Sequence, residues 1–181
     1  LADPPRQLRT ERLLLRRWTD ADRAPFAALN ADPEVVEFLP GPLTRAESDA
    51  FVDRIEATFD ELGYGLWAVE LGDGTFAGYV GLWPATFEAP FTPAVEVGWR
   101  LARAVWGQGV ASEAARAAVA DGFARLDLEE IVSFTTAANG RSRAVMERIG
   151  MARDEAADFD HPSLPEDHPL RPHVLYRLRR P

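Results

Sequence analysis

No cysteine occurs in the 181 residues, which excludes disulfides, thiolate nucleophiles, acyl-cysteine intermediates and cysteine zinc sites. Lysine is absent as well: all 20 basic residues are arginine. Schiff-base lysines, pyridoxal-phosphate anchoring and the lysine of a phosphate-binding P-loop go with it. No apolar run approaches the roughly 18–20 residues that span a bilayer, and LADPPRQLRTER, the opening stretch, holds no apolar signal-peptide core. A protein without membrane attachment and with a cytoplasmic address is expected. Positive charge is the scarcer sign, leaving a net charge of −9. That argues against nucleic acid, whose affinity comes largely from phosphate neutralisation; acidity of this kind serves solubility and suits a cationic partner.

What is present suits one domain over residues 1–181, since 46% hydrophobic content is enough for a full core. RTERLLLRRW (Arg9 to Trp18) reads as an opening strand. Two amphipathic helices follow. The first, TDADRAPFAALNADPEVVEFL, is capped at Thr19 or Asp20 and runs to Leu39; the second starts at Thr44, where Thr44 and Glu47 form a capping-box pattern, and ends at Gly63. YGLWAVEL, TFAGYVGLWPAT and AVEVGWRLA read as three antiparallel strands, the first two joined by the hairpin signal GDG. A helix from about Ala111, a strand at Glu130–Thr136, a short helix from about Ser142 to Ile149 and a last strand at HVLYRLR complete the order β-αα-βββ-α-β-α-β. The class is α+β, with a mostly antiparallel mixed sheet of about six to seven strands and about four helices.

The stretch VWGQGVASEA places Gly107 and Gly109 directly before an alanine-rich helix. Backbone N–H groups in the first helical turn lack intrahelical partners, and the helix dipole adds roughly half a positive charge there, so an anion such as phosphate is a natural guest. A glycine turn before a helix also serves simply as a turn. The dinucleotide-binding fingerprint is disfavoured because Ser112 stands at its third glycine position, behind an antiparallel meander.

LARAVWGQGVASEA, EVGWRL before it and NGRSRAVMERIGM after the next strand together resemble the GCN5-related N-acetyltransferases, in particular the branch that acetylates ribosomal-protein N-termini. The resemblance runs from TERLLLR to HVLYRL. It implies the splayed mixed sheet of that family and acetyl-CoA as co-substrate, with the pyrophosphate-wrapping pattern on Trp106, Gly107, Gln108, Gly109, Val110 and Ala111 and the backbone amides from Gln108 to Ser112 facing the phosphates. It implies also that Val97, Trp99 and Leu101 hold the pantetheine arm by β-like hydrogen bonds. Trp106 replaces the commoner glutamine or arginine. Glu113 must then point away from the phosphates. In the second family pattern Asn139 and Ser142 match, whereas Met146 stands at the tyrosine that protonates the CoA thiolate in many members and cannot donate a proton.

The resemblance implies a primary amine as acceptor, a small molecule or a protein N-terminus, and direct transfer in a ternary complex. An alkylamine near pKa 10 must first lose a proton. Glu96, on the strand beside the acetyl-CoA groove, is the candidate base; as an alternative it is a surface glutamate or one half of a salt bridge. Ser142 is either the proton donor to the thiolate or an N-cap, and Asn139 either a CoA contact or an Asx turn. A second reading of the chain is a non-catalytic acyl-CoA-binding module, motivated by the missing tyrosine. Dimerisation is common in the family, and no sequence feature establishes a homodimer.

His161, His168 and His173 all fall in the proline-rich acidic segment Asp154–Pro172 or just beyond it. Their spacings match no standard zinc site, so no metal is assigned. The topology of the family puts this segment beside the acceptor, where Asp158, Asp160 and Asp167 would attract an ammonium group and Tyr176 would either point in or pack. Trp83 and Phe87, at a strand end near a proline turn, are assigned to the acceptor pocket.

Overall fold

The computed structural model describes residues 7–181. β1 (Gln7–Arg9) and β2 (Leu13–Arg16) form a hairpin where the sequence predicts one strand. The chain reverses because Thr10 closes the turn twice: its N–H donates to the Leu13 carbonyl and its Oγ1 accepts from the Leu13 N–H, each at 3.0 Å.

α1 (Asp20–Ala31) is capped at Thr19, whose N–H and hydroxyl both donate to the Asp22 carboxylate. It ends before Pro33, which forces Asp32 into an extended conformation at ψ 116°. Residues 32–44 are consequently a loop, not the helical extension that the apolar spacing through Leu39 invites. α2 (Arg45–Leu62) has the expected Thr44–Glu47 box and stops at Gly63 in the left-handed region, φ 73°.

β3 (Leu66–Leu71), β4 (Phe76–Ala85) and β5 (Ala94–Leu101) form the antiparallel meander. α3 (Val110–Arg125) crosses to β6 (Glu130–Thr136), which is parallel to β5; α4 (Gly140–Arg148) follows. β7 (Ala152–Arg153), β8 (Phe159–Asp160) and β9 (Pro172–Arg179) complete the chain. The sheet has nine strands in the order β1-β2-β3-β4-β5-β6-β9-β7, with β8 also on β9. The count exceeds six to seven because the opening strand is split and because β7 and β8, at two residues each, are too short to show a period. The four α-helices and the mixed, mostly antiparallel sheet match the sequence-based expectation.

The two faces of the sheet have different occupants. Phe26 of α1 and Phe51 of α2 pack edge-on against Tyr79 of β4, and Tyr79 stands opposite Arg100 in the register. On the other face α3 approaches so closely that a Cβ on Gly122 would lie 2.5 Å from Leu82 Cδ1. Leu82 is registered with Val97. By strand alternation, Glu96 and Arg100 therefore share the α1/α2 face, and Val97, Trp99 and Leu101 share the α3/α4 face.

Candidate active site

Three helices carry a side chain at the N-terminus: Thr19–Asp22 for α1, Thr44–Glu47 for α2, and Asn139, whose Oδ1 accepts from the Ser142 N–H at 3.1 Å, for α4. α3 does not. Its N-cap is Gly109 at φ 80°, and no side chain accepts from its first turn. Gly107, at φ 73°, gives the preceding turn a second left-handed step. The first-turn amides are thus left aimed outwards, the arrangement that binds an oxyanion. Arg12, missed by sequence reasoning, fixes this loop from β2's side: Nη1 donates to the Gln108 carbonyl at 3.0 Å while Nε donates to Glu113 at 2.7 Å. Glu113 also accepts from Thr10 Oγ1 and the Arg12 N–H. Its carboxylate is turned to the β1–β2 hairpin, away from the free amides.

β5 and β6 meet at a single backbone bridge, Glu96 with Val132, and then part. Beyond it the Ser133 hydroxyl donates to the Val97 carbonyl at 2.8 Å, and the Trp106 indole N–H donates to the Leu101 carbonyl at 2.9 Å. Both carbonyls therefore face the gap, and by alternation so do the N–H and C=O of Trp99, opposite which no strand pairs. The gap widens into a cavity of about 950 Å³ that reaches both faces of the sheet. Glu96, Val97, Trp99, Leu101, Trp106, Gly107, Gly109, Val110, Ala111, Ser112, Asn139 and Ser142 all line it. Gln108 does not; its side chain donates to the Ala104 carbonyl.

Glu96 makes no ion pair among the described residues, and burial pushes its carboxyl up to about 8. Ser142 is at the third position of α4, not its cap, because Asn139 fills that role. The Trp99 indole N–H donates to Ser142 Oγ at 3.3 Å, leaving the hydroxyl proton available to the cavity. Asn139 uses both ends of its amide internally, the second on Thr135 Oγ1 at 3.1 Å. Met146 is buried against the same cavity.

The model of the acetyltransferase (GNAT) domain family matches residues 12–152. The chain belongs to the GNAT acetyltransferases. An acetyltransferase structure from Agrobacterium tumefaciens is 31% identical, covers 96% of this chain and 94% of its own, and superposes with a TM-score of 0.76. The FsC-acetyl coenzyme A-N(2)-transacetylase of Aspergillus fumigatus is 34% identical over 155 residues, 82% of this chain and 66% of that protein. A ribosomal L7/L12 alpha-N-protein acetyltransferase in complex with coenzyme A has the same fold, with a TM-score of 0.77 at 17% identity and coverage of 96% and 97%. The GNAT family uses acetyl-CoA and an amine acceptor, so the chain is an N-acetyltransferase and the binding-module reading gives way.

Several expectations about the acceptor side of this GNAT domain need correction. Neither Trp83 nor Phe87 lines the cavity. Trp83 packs edge-on against Phe51, and Phe87 is in a ring cluster with Phe91, Phe134 and Phe159, of which Phe134 reaches the cavity. Asp158, Asp160 and Asp167 are outside it; Asp158 pairs with Arg153 and Asp160 with Arg171. Tyr176 is buried and donates to Glu147 at 3.1 Å, so it packs. The segment instead supplies His161 and His173, with ring centroids 5.1 Å apart, and burial lowers both below the usual imidazole value. His168 is not with them; its Nδ1 accepts from the Leu170 N–H. Among the described residues, no group of three His, Cys, Asp or Glu could hold a metal ion.

Proposed function

We propose that the chain moves the acetyl group of acetyl-CoA directly to a primary amine within a ternary complex. The observation that carries this reading is the juxtaposition of the uncapped α3 N-terminus and the half-buried Glu96 on one cavity. The amides of Gln108 to Ser112 bind the pyrophosphate, and the free edge of β5 at Val97, Trp99 and Leu101 holds the pantetheine arm. The Aspergillus relative's name, which describes transfer from acetyl coenzyme A to an N(2) position, supports nitrogen as the acceptor atom.

In this mechanism Glu96 takes a proton from the ammonium, and the amine nitrogen attacks the thioester carbon. A β5 N–H at the gap stabilises the oxyanion. As the C–S bond breaks, Ser142 passes its proton to the departing thiolate and regains one from the nitrogen, which sheds its second proton as it becomes the amide; this is the role that Met146 cannot fill. The Trp99 N–H on Ser142 Oγ polarises the hydroxyl and makes it a better donor. Ser142→Ala should lower kcat about tenfold, because water substitutes in part, and leave acetyl-CoA affinity within a factor of about three.

Calorimetry with acetyl-CoA, followed by assays of free CoA release over a panel of amines and N-terminal peptides, tests the whole reading. Micromolar binding and amine-dependent release are expected. Absence of acetyl-CoA binding would remove it.

A further inference from the structure

We infer that the acceptor amine carries a carboxylate and that Arg100 binds it; this rests on the amine-acetyltransferase reading above. Arg100 is the half-buried arginine of β5 that lines the cavity. It makes no ion pair among the described residues, and its buried Nε has no hydrogen-bond partner. A guanidinium stays charged at every working pH and presents five donors in a fork that fits a carboxylate, so a half-buried one without an anion lacks its natural partner.

The side chain is nevertheless well held. Nη1 donates to Asn30 Oδ1 at 2.5 Å, and fully buried Asn30 donates on to Ser48 Oγ at 2.9 Å. The guanidinium lies 5.9 Å from the Phe51 ring centroid and 5.6 Å from that of Tyr79. α1 and α2 thus fix the group from behind and spend only one of its donors. Such an anchored cation is a specificity device: an acceptor lacking the anion leaves it unsatisfied.

The same face says which substrate supplies the anion. Arg100 shares the α1/α2 face with Glu96, whereas the phosphate cradle belongs to α3 on the opposite face. Four residues along a strand separate the two Cα atoms by about 13 Å, so an acceptor lying along β5 can present its amine towards Glu96 and its carboxylate towards Arg100. Among the described residues Glu96 is the only acidic one on the cavity wall, whereas Arg100, Arg141 and Arg148 line it, Arg141 being paired with Glu37 outside it. That balance favours an amino acid or short peptide over a polycationic amine.

The test compares glycine, phenylalanine and glycylglycine with their C-terminal amides, using wild type, Arg100→Met and Arg100→Lys. At least one acid should exceed its amide tenfold in kcat/KM in the wild type. Arg100→Met should bring that ratio close to one, and Arg100→Lys should retain part of it. If none of these amines turns over, N-acetylated acids and amides are compared by thermal shift on CoA-loaded protein, with stabilisation by the acid alone and only when residue 100 is cationic. No acid preference in either assay, or a preference that survives Arg100→Met, overturns the inference. So does a tenfold loss of acetyl-CoA affinity in Arg100→Met, which would assign the anion to the co-substrate. Failure of wild type to bind acetyl-CoA is a separate result and strikes the acetyltransferase reading itself.

Discussion

Glu96→Gln should lower kcat/KM by about 10²–10⁴, the usual worth of a general base, and at the same time raise the melting temperature at pH 8. The two effects share one cause. Burial holds the native carboxyl at about 8, against about 4.3 in an unfolded chain. Between those values the native state keeps a proton that the unfolded state has lost, so the group's contribution to stability falls as pH rises through that window and is lowest above 8. Glutamine fills the same volume without ionising. Discounted for water in the cavity, the gain is about 2 kcal/mol, or about 4–8 °C for a chain of this size, and it should vanish below about pH 4. The activity of the wild type should rise with pH through about 8, and with an acceptor amine of low pKa the rise reports the carboxyl alone. Activity of Glu96→Gln within threefold of wild type, or a lower melting temperature at pH 8, would sink the assignment of Glu96 as the base.

Gly109→Val should weaken acetyl-CoA binding by a factor of about 100 or more in calorimetry. Gly109 is held at φ 80°, where a β-branched residue is a conformational outlier. A Cβ there would also lie 3.4 Å from Arg12 Nη2, inside the clamp that fixes the loop. Relieving the strain requires rotating the peptide units that start α3, so the amides turn away from the phosphates they would meet. The expected stability loss is about 1–3 kcal/mol, which leaves most molecules folded and separates lost binding from lost structure. Gly72→Ala is the control, since a Cβ at that turn meets nothing nearer than the Arg12 carbonyl at 3.9 Å. Equal affinity in Gly109→Val and wild type would show that the cradle is not where the co-substrate's charge is held.

Features encoded by neighbouring residues were legible in the sequence. The Thr44–Glu47 box, the stop at Gly63 and the glycine turn before α3 each express a local backbone requirement, and each is found. The short spacing of Asn139 and Ser142 was legible too, but their roles divided differently: the amide caps the helix and the hydroxyl takes the indole proton. Contacts between distant segments were not legible. Arg12 reaches Gln108 across 96 residues and Arg100 reaches Asn30 across 70; in sequence the one looks like an ordinary strand-flanking arginine and the other like an ordinary arginine within a strand. The histidine segment misled for a related reason. Its acidic residues dominate the composition, yet Arg153 takes Asp158 and Arg171 takes Asp160, and of the less conspicuous imidazoles His161 and His173 turn inwards.

The seam between β5 and β6 has a consequence for how the molecule holds together. A sheet that parts after one backbone bridge gives up hydrogen bonds that a continuous sheet would make, and the Ser133 hydroxyl on the Val97 carbonyl replaces only one of them. The amides of a pantetheine arm have the reach and polarity of a peptide strand, and seated at Trp99 they would restore the missing rung. On the proposed function the folded chain would in this sense be an unfinished sheet whose last strand is a substrate. Each turnover would then complete the sheet and reopen it.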